Sequence, residues 1–170
     1  DEDAMWWLHL LRWEFPLPKR SELLSEIERL RQDLREEGVL VGTAGEETVI
    51  ADHPFVATAR AVLDNLREAY WVAARVLITL PEEGLARGAV LDRMQERYEA
   101  GLRLGEVTKP EGNSRVTLDN ALNRFAEIDC VRIEAAEKAK DRLVRRGGGV
   151  DDLALIAGRI GVSLGSVPCA

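Results

Sequence analysis

Apolar residues recur at helical spacing over most of this chain, and the interruptions between the periodic stretches are sharp. Leu23, Ile27, Leu30 and Leu34 form one such series. Ser21 can cap it at Glu22, and Gly38 supplies the stop. Phe55, Ala59, Val62, Leu66, Tyr70, Ala73 and Leu77 form a longer one. It opens at a possible Asp52 cap with Pro54 in the first turn, runs about 25 residues to near Leu80, and is broken by Pro81-Glu82-Glu83-Gly84. Leu91, Met94, Tyr98 and Leu102 predict a third helix, ending near Gly101 or Gly105. Leu118, Ala121, Leu122, Phe125 and Ile128 predict a fourth, capped by Ser114 or Thr117 after a loop that holds Pro110 and Gly112.

Two stretches break the helical period. Val39-Leu40-Val41, the turn Gly42-Thr43-Ala44-Gly45 and Thr48-Val49-Ile50 read as a short β-hairpin. Cys130-Val131-Arg132-Ile133 reads as a strand leaving the fourth helix. Helix, tight turn and strand thus recur at two places, each the outline of half a winged helix. Glu134 to Arg146 predicts a charged helix, with Lys138, Lys140, Arg142, Arg145 and Arg146 toward its C-terminal end, where positive charge suits the helix dipole. Gly147-Gly148-Gly149 predicts a flexible link before a short apolar helix or tail.

The expected fold class is therefore mainly α, a helical domain with short β-hairpins and winged-helix-like helix-turn-strand units. The expected organisation is a Trp-rich segment over residues 1–20, a helical accessory domain over 21–146, and a Gly-rich link with a short C-terminal element over 147–170.

The Trp-rich segment changes the picture most. Three of the chain's 4 tryptophans fall between Met5 and Phe15, and Pro16 and Pro18 end the stretch. On a helix Trp6, Leu10 and Trp13 share a face, with Met5, Leu8 and Phe15 filling much of the circumference, so something must cover it. The cover is this domain, a missing neighbouring domain, a membrane interface with Trp at headgroup depth, or a partner protein. Trp6, Trp7, Leu10, Trp13 and Phe15 are the candidate interface residues. The first residue is Asp1, with no Met and no signal-peptide pattern, which predicts that the chain begins inside a longer polypeptide.

Composition narrows function mainly by exclusion. At 170 residues and 46% hydrophobic, the chain can bury a sizeable core as one domain or two small ones. A net charge of −7 repels phosphate backbones, so no nucleic-acid partner is expected without a local basic patch. No apolar run approaches the roughly 20 residues that span a bilayer. Cys130 and Cys169 are far apart and form no disulfide framework, which favours a reducing compartment.

Candidate chemistry is sparse. His9 and His53 are the only histidines, and neither has metal-ligand spacing or a partner for nucleophilic catalysis, so no catalytic residue, metal or cofactor is expected. The glycines form no phosphate-cradling loop. Glu36-Glu37, Glu46-Glu47 and Glu82-Glu83 read as solvated turn ends. Tyr70, Trp71 and Met94 are core residues or, in a small-molecule sensor, the lining of a cavity.

Ala69-Tyr70-Trp71-Val72-Ala73-Ala74 and Leu118-Asp119-Asn120-Ala121-Leu122-Asn123-Arg124-Phe125-Ala126-Glu127-Ile128, with the helix and loop between them, resemble the C-terminal region of the bacterial glycerol-3-phosphate 1-O-acyltransferases. The resemblance covers about residues 54–133, and 20–50 more loosely. It implies a non-catalytic helical domain that packs on an N-terminal catalytic domain of the same polypeptide. That enzyme transfers an acyl group from acyl-CoA or acyl-carrier protein to glycerol 3-phosphate in phospholipid biosynthesis, peripherally on the cytoplasmic face of a membrane. The family's His-x4-Asp motif has no counterpart here: Glu14 follows His9 at that distance, and Thr58 follows His53. Lys109-Pro110-Glu111-Gly112-Asn113-Ser114-Arg115 looks like the family's phosphate-gripping motif, but lies too late in the chain and reads as a loop that needs Pro and Gly. The alternative is a winged-helix-like protein-interaction or regulatory module with residues 117–128 as its recognition helix. Asp119 and Glu127 there oppose DNA contact.

Overall fold

The computed structural model describes residues 2–15, 20–43 and 46–164. Six helices and two small antiparallel sheets make up the described chain, which is mainly α with short hairpins. It divides into two compact units, one formed by Asp1–Glu14 with Asp64–Ala170 and one by Phe15–Leu63.

In the smaller unit, α2 (Arg20–Glu36) starts before the predicted point, so Ser21 lies inside the helix and the capping position falls outside the described residues. Gly38, at φ +73°, ends it: the amide of Val39 donates to Leu34 O at 2.8 Å. The chain then enters β1 (Leu40–Val41), which pairs antiparallel with β2 (Thr48–Val49) in the register Leu40↔Val49. Gly42, at φ +109°, makes the turn possible, since a Cβ there would sit 2.6 Å from Glu46 O. Ala44 and Gly45 of the predicted turn lie outside the described residues.

The long helix α3 (Pro54–Ile78) has the predicted length. Its cap is His53 and not Asp52: the ring Nδ1 accepts from the amide of Phe55 at 3.2 Å. The helix changes character along its length. Phe55, Val62 and Leu63 are exposed, whereas Glu68 to Ala74 are buried without interruption. A helix buried all round is a core helix.

The larger unit is built on that buried stretch. The core gathers Leu10 and Leu11 after α1 (Glu2–Leu10), Val90, Met94 and Tyr98 of α4 (Arg87–Leu104), Leu118, Leu122 and Phe125 of α5 (Arg115–Glu127), and Leu153 and Ile160 of α6 (Asp152–Leu164). Tyr70, Trp71 and Met94 are part of it, at 0%, 6% and 0% exposure, so core packing and not a cavity lining accounts for them. Gly105 in the left-handed conformation caps α4, and the Ser114 hydroxyl accepts from the amide of Thr117 to cap α5.

Residues 134–146 correct the sequence-based expectation. No helix of that length forms there. β3 (Leu85–Ala86), β4 (Val131–Ile133) and β5 (Leu143–Arg146) make a three-stranded antiparallel sheet in the order β3-β5-β4, with a 3-10 turn over Ala139–Asp141. The registers Leu85↔Val144 and Ile133↔Val144 bury Val144 between both neighbours. Strand pairing that satisfies the backbone on both edges of β5 outweighs the local helix propensity of Glu134 to Arg142.

The glycine run that follows is equally specific. The amides of Gly147, Gly148 and Gly149 donate to Cys130 O at 3.0 Å, Asp129 Oδ2 at 3.2 Å and Asp129 O at 2.9 Å. Asp129 itself is held at φ +58°, and a Cβ at position 147 would lie 2.0 Å from its carbonyl oxygen. The run is a packed corner, not a flexible link.

Candidate functional site

An open cleft of about 360 Å³ lies in the larger unit. It lies where the first turns of α4 and α5 meet the 3-10 turn between β4 and β5. Its lining includes Arg87, Leu91, Arg115, Val116, Asp119 and Lys140.

Each charged group has a defined setting. Arg87 opens α4 directly after β3, and its amide donates to Arg142 O at 2.7 Å. Its guanidinium, only 9% exposed, donates from Nε to Asp119 Oδ1 at 2.9 Å and from Nη2 to Asn123 Oδ1 at 2.8 Å. A largely buried guanidinium requires such partners, and removing them would leave an uncompensated charge. Arg115 donates from Nη1 to Asp92 Oδ1 at 2.6 Å and to Gln95 Oε1 at 2.9 Å. Lys140 is exposed and has no ion-pair partner among the described residues. Val116, 71% exposed, and the largely buried Leu91 are the large apolar side chains of the lining. The one carboxylate of the lining, Asp119, is engaged by Arg87.

A second polar cluster is wholly structural. Glu68 is 4% exposed and accepts hydrogen bonds from Tyr98 Oη (3.0 Å), Thr108 N and Oγ1 (both 2.9 Å) and Lys109 N (2.8 Å). Burial, then the nearby Glu68 charge, pushes the Tyr98 hydroxyl far above its ordinary value. This cluster explains Lys109 to Arg115. Gly112 sits against the tyrosine, so that a Cβ there would be 2.1 Å from Tyr98 Oη and 2.7 Å from Asn65 O. Pro110–Gly112 forms a 3-10 turn and Ser114 caps α5, so loop architecture accounts for the motif-like residues.

The predicted interface residues separate. Leu10 is buried in the core at 4% exposure. Trp6 and Trp7 are half-buried, in edge-to-face contact at 4.7 Å, with Arg159 over Trp6 at 4.2 Å and Arg67 over Trp7 at 5.2 Å. Trp13 is 47% exposed although its Nε1 donates to Glu127 Oε2 at 3.2 Å, and Phe15, which belongs to the smaller unit, is 39% exposed. Glu14 anchors the segment, accepting from Tyr70 Oη and from Asn120 Nδ2, both at 3.2 Å. Burial raises the Glu14 carboxyl above its ordinary value, against the lowering effect of those bonds.

His9 is exposed and His53 caps α3. Among the described residues, no group of three or more His, Cys, Asp or Glu side chains could hold a metal ion, and no helix is long and apolar enough to cross a membrane. Cys130 is a free buried thiol, pushed up to about 11 by burial and by Asp152 and Asp129, and Cys169 lies outside the described residues.

A model of the glycerol-3-phosphate acyltransferase C-terminal region matches residues 2–134, which takes in the whole of the smaller unit and the larger one as far as β4. The chain belongs to this family. No curated protein matches it significantly. The glycerol-3-phosphate acyltransferase C-terminal match includes residues 2–15, to which the sequence resemblance did not extend, and the packing of Trp6, Trp7, Leu10 and Leu11 against the core gives a physical reason for treating α1 as part of the larger unit. It ends before β5 and α6, although β5 is the central strand of the sheet.

Sequence reasoning did not find the cleft. Arg115 was visible within the loop motif and Lys140 within a basic run. Arg87 carried no local signal, because its role depends on β3 and on partners 32 and 36 residues away.

Proposed function

We propose that this chain is the non-catalytic helical C-terminal domain of a glycerol-3-phosphate acyltransferase. In this reading it packs on an N-terminal catalytic domain of the same polypeptide, which makes lysophosphatidate from glycerol 3-phosphate and acyl-CoA or acyl-carrier protein. The observation that carries it is the family match over residues 2–134, combined with a sequence that places Glu14 and Thr58 where a His-x4-Asp motif would need aspartate. The parent enzyme then works at the cytoplasmic face of a membrane as a peripheral protein. Of the candidate interface residues, Trp13 and Phe15 have the most surface to offer the catalytic domain or the membrane interface, since Leu10 is taken up by this chain's own core.

The test is acyl transfer to glycerol 3-phosphate by the full-length polypeptide, compared with the same polypeptide lacking this segment. Activity that is present in full length and lost on truncation is expected. A full-length product with no such activity overturns the proposal.

A second reading is favoured by one observation. The order α3, β3, α4, α5, β4, β5 with strand order β3-β5-β4 supports a winged-helix-like reading, in which α5 takes the recognition position. Protein docking suits this better than DNA. Arg124 is 7% exposed and bound to Glu127, while Asp119 and Asn123 are taken by Arg87, so α5 has little left to read bases. A salt-sensitive mobility shift with duplex DNA would reverse that preference.

A further inference from the structure

We propose that the first half of α3 docks on the N-terminal catalytic domain of the same polypeptide through an apolar stripe, Phe55, Ala59 and Val62. This assignment rests on the acyltransferase reading and deepens it by naming the docking surface.

The stripe is set by the helix itself. Phe55, Ala59 and Val62 follow one another at spacings of four and three residues, and the same spacing continues through Leu66, Tyr70, Ala73 and Leu77. One face of one helix therefore carries the whole series. In the second half of α3 that face is core, with Tyr70, Ala73 and Leu77 at 0% exposure. In the first half it is bare: Phe55 and Val62 are 51% and 49% exposed, and Leu63 beside them is 41% exposed. A core-type pattern that overruns the core by about three helical turns specifies a further partner.

The smaller unit does not supply that partner. Among its described residues Val39 is the one buried side chain, and Leu24, Leu30, Val41 and Val49 are exposed as well. A unit this small is marginal even when well packed, and one that buries so little apolar surface needs a cover from outside.

The family match points to the occupant. The matched region is a C-terminal one and takes in the whole smaller unit, which implies a catalytic domain N-terminal to it in the same polypeptide. A domain tethered by a short linker is present at an effective concentration of about millimolar, so that even a surface of modest area stays covered. A second copy has no such advantage. Anionic lipid is not favoured either, because residues 15–63 hold more acidic than basic side chains.

The test is hydroxyl-radical footprinting of the full-length polypeptide and of this chain alone, with acyl transfer to glycerol 3-phosphate assayed on the same full-length sample. Oxidation of Phe55 and Leu63, each normalised to a free reference peptide, is expected to be at least about fivefold slower in the full-length polypeptide. Val62→Glu, at an exposed position, should return both rates to those of the chain alone, whereas Leu104→Glu, at a 74% exposed position of the larger unit, should leave the protection intact. Equal oxidation in both samples, together with acyl transfer, overturns the docking and leaves the acyltransferase reading standing. Protection that persists in Val62→Glu, or is lost equally in Leu104→Glu, overturns the stripe as its source. A full-length polypeptide without acyl transfer overturns that reading and the docking partner together. Protection that arises in the chain alone as its concentration rises assigns the stripe to a second copy, and protection that requires phosphatidylglycerol vesicles assigns it to lipid; either overturns the proposal.

Discussion

Helix α2 and helix α5 both run into antiparallel strands, yet they meet very different fates. In α5, Leu118, Ala121, Leu122 and Phe125 are all at 0% exposure, and the strand that follows joins a three-stranded sheet over the same core. In α2, Leu23, Ile27 and Leu34 are only half-buried, Leu24 and Leu30 stand at 78% and 51% exposure, and the strands that follow form an isolated pair. The sequence period is similar in both. What differs is the number of elements available to close over the apolar face, and that number sets how much burial each pattern yields.

Charge follows the same division. The smaller unit holds its hairpin to α2 through Glu47, which pairs with Arg31 and Arg35. Its neighbour Glu46 is exposed, but the Glu47 side chain is only 10% exposed, so the expectation of a solvated pair fails at that residue. The larger unit spends its buried carboxylate, Glu68, on backbone amides and hydroxyls of one loop.

The sharpest way to break the comparison is to empty the α5 face. Leu122→Ala should cost about 2–5 kcal/mol, read as a shift in the urea midpoint followed by tryptophan fluorescence. Gly112→Ala forces a methyl to within 2.1 Å of Tyr98 Oη and 2.7 Å of a carbonyl oxygen, and should cost about 1–3 kcal/mol in the same assay. Glu68→Gln keeps the shape but sets its NH2 against one of the two amides, of Thr108 or Lys109, that the two carboxylate oxygens accept from, and a loss of about 1–3 kcal/mol is expected.

These positions also mark how far the sequence could be read. The period placed α3, α4 and α5, and Gly38, Gly105 and Ser114 are the punctuation that local chemistry predicts. β3 is two residues long and β5 exists only through partners at 85–86 and 131–133, so neither leaves a local trace. Glu134 to Arg142 has helix-forming composition, and only the long-range sheet overrules it. The cleft was hidden for the same reason: Lys140 reaches it from a turn that the local pattern assigned to a helix. Asp129 shows the converse, a residue unremarkable in sequence whose left-handed backbone organises the whole Gly147 to Gly149 corner.

Acid should separate the two units. The Arg31 and Arg35 guanidiniums hold the Glu47 carboxyl below its ordinary value of 4.5. Its stabilising contribution is present above that value and lost as pH falls through the lowered one. Burial holds Glu14 above the same value, so its contribution is present below 4.5 and lost as pH rises through the raised one. Lowering pH from 6 toward 3 should therefore reduce the protection factors of the hairpin amides of the smaller unit, each taken relative to the intrinsic exchange rate at that pH, while docking of the Glu14 segment gains. Glu47→Gln should abolish the first response, and equal acid sensitivity in the variant would show that the ion pair is not its source.

The smallest expected effect is the most discriminating. Leu30 keeps the helical period of α2 and Leu24 stands off it, yet both are exposed, so Leu24→Gln and Leu30→Gln should each change the stability of this chain by no more than about 0.5 kcal/mol. Exposed apolar residues lose little when made polar, because little buried area is forfeited. In a longer polypeptide that covers α2, the same substitutions would remove burial worth about 1.5–3 kcal/mol per leucine. Measuring both variants in the chain alone and in the full-length protein therefore separates two explanations of the exposed leucines. A difference that appears only in the full-length protein makes α2 an interdomain surface, and identical small effects in both make the leucines a tolerated feature of the smaller unit.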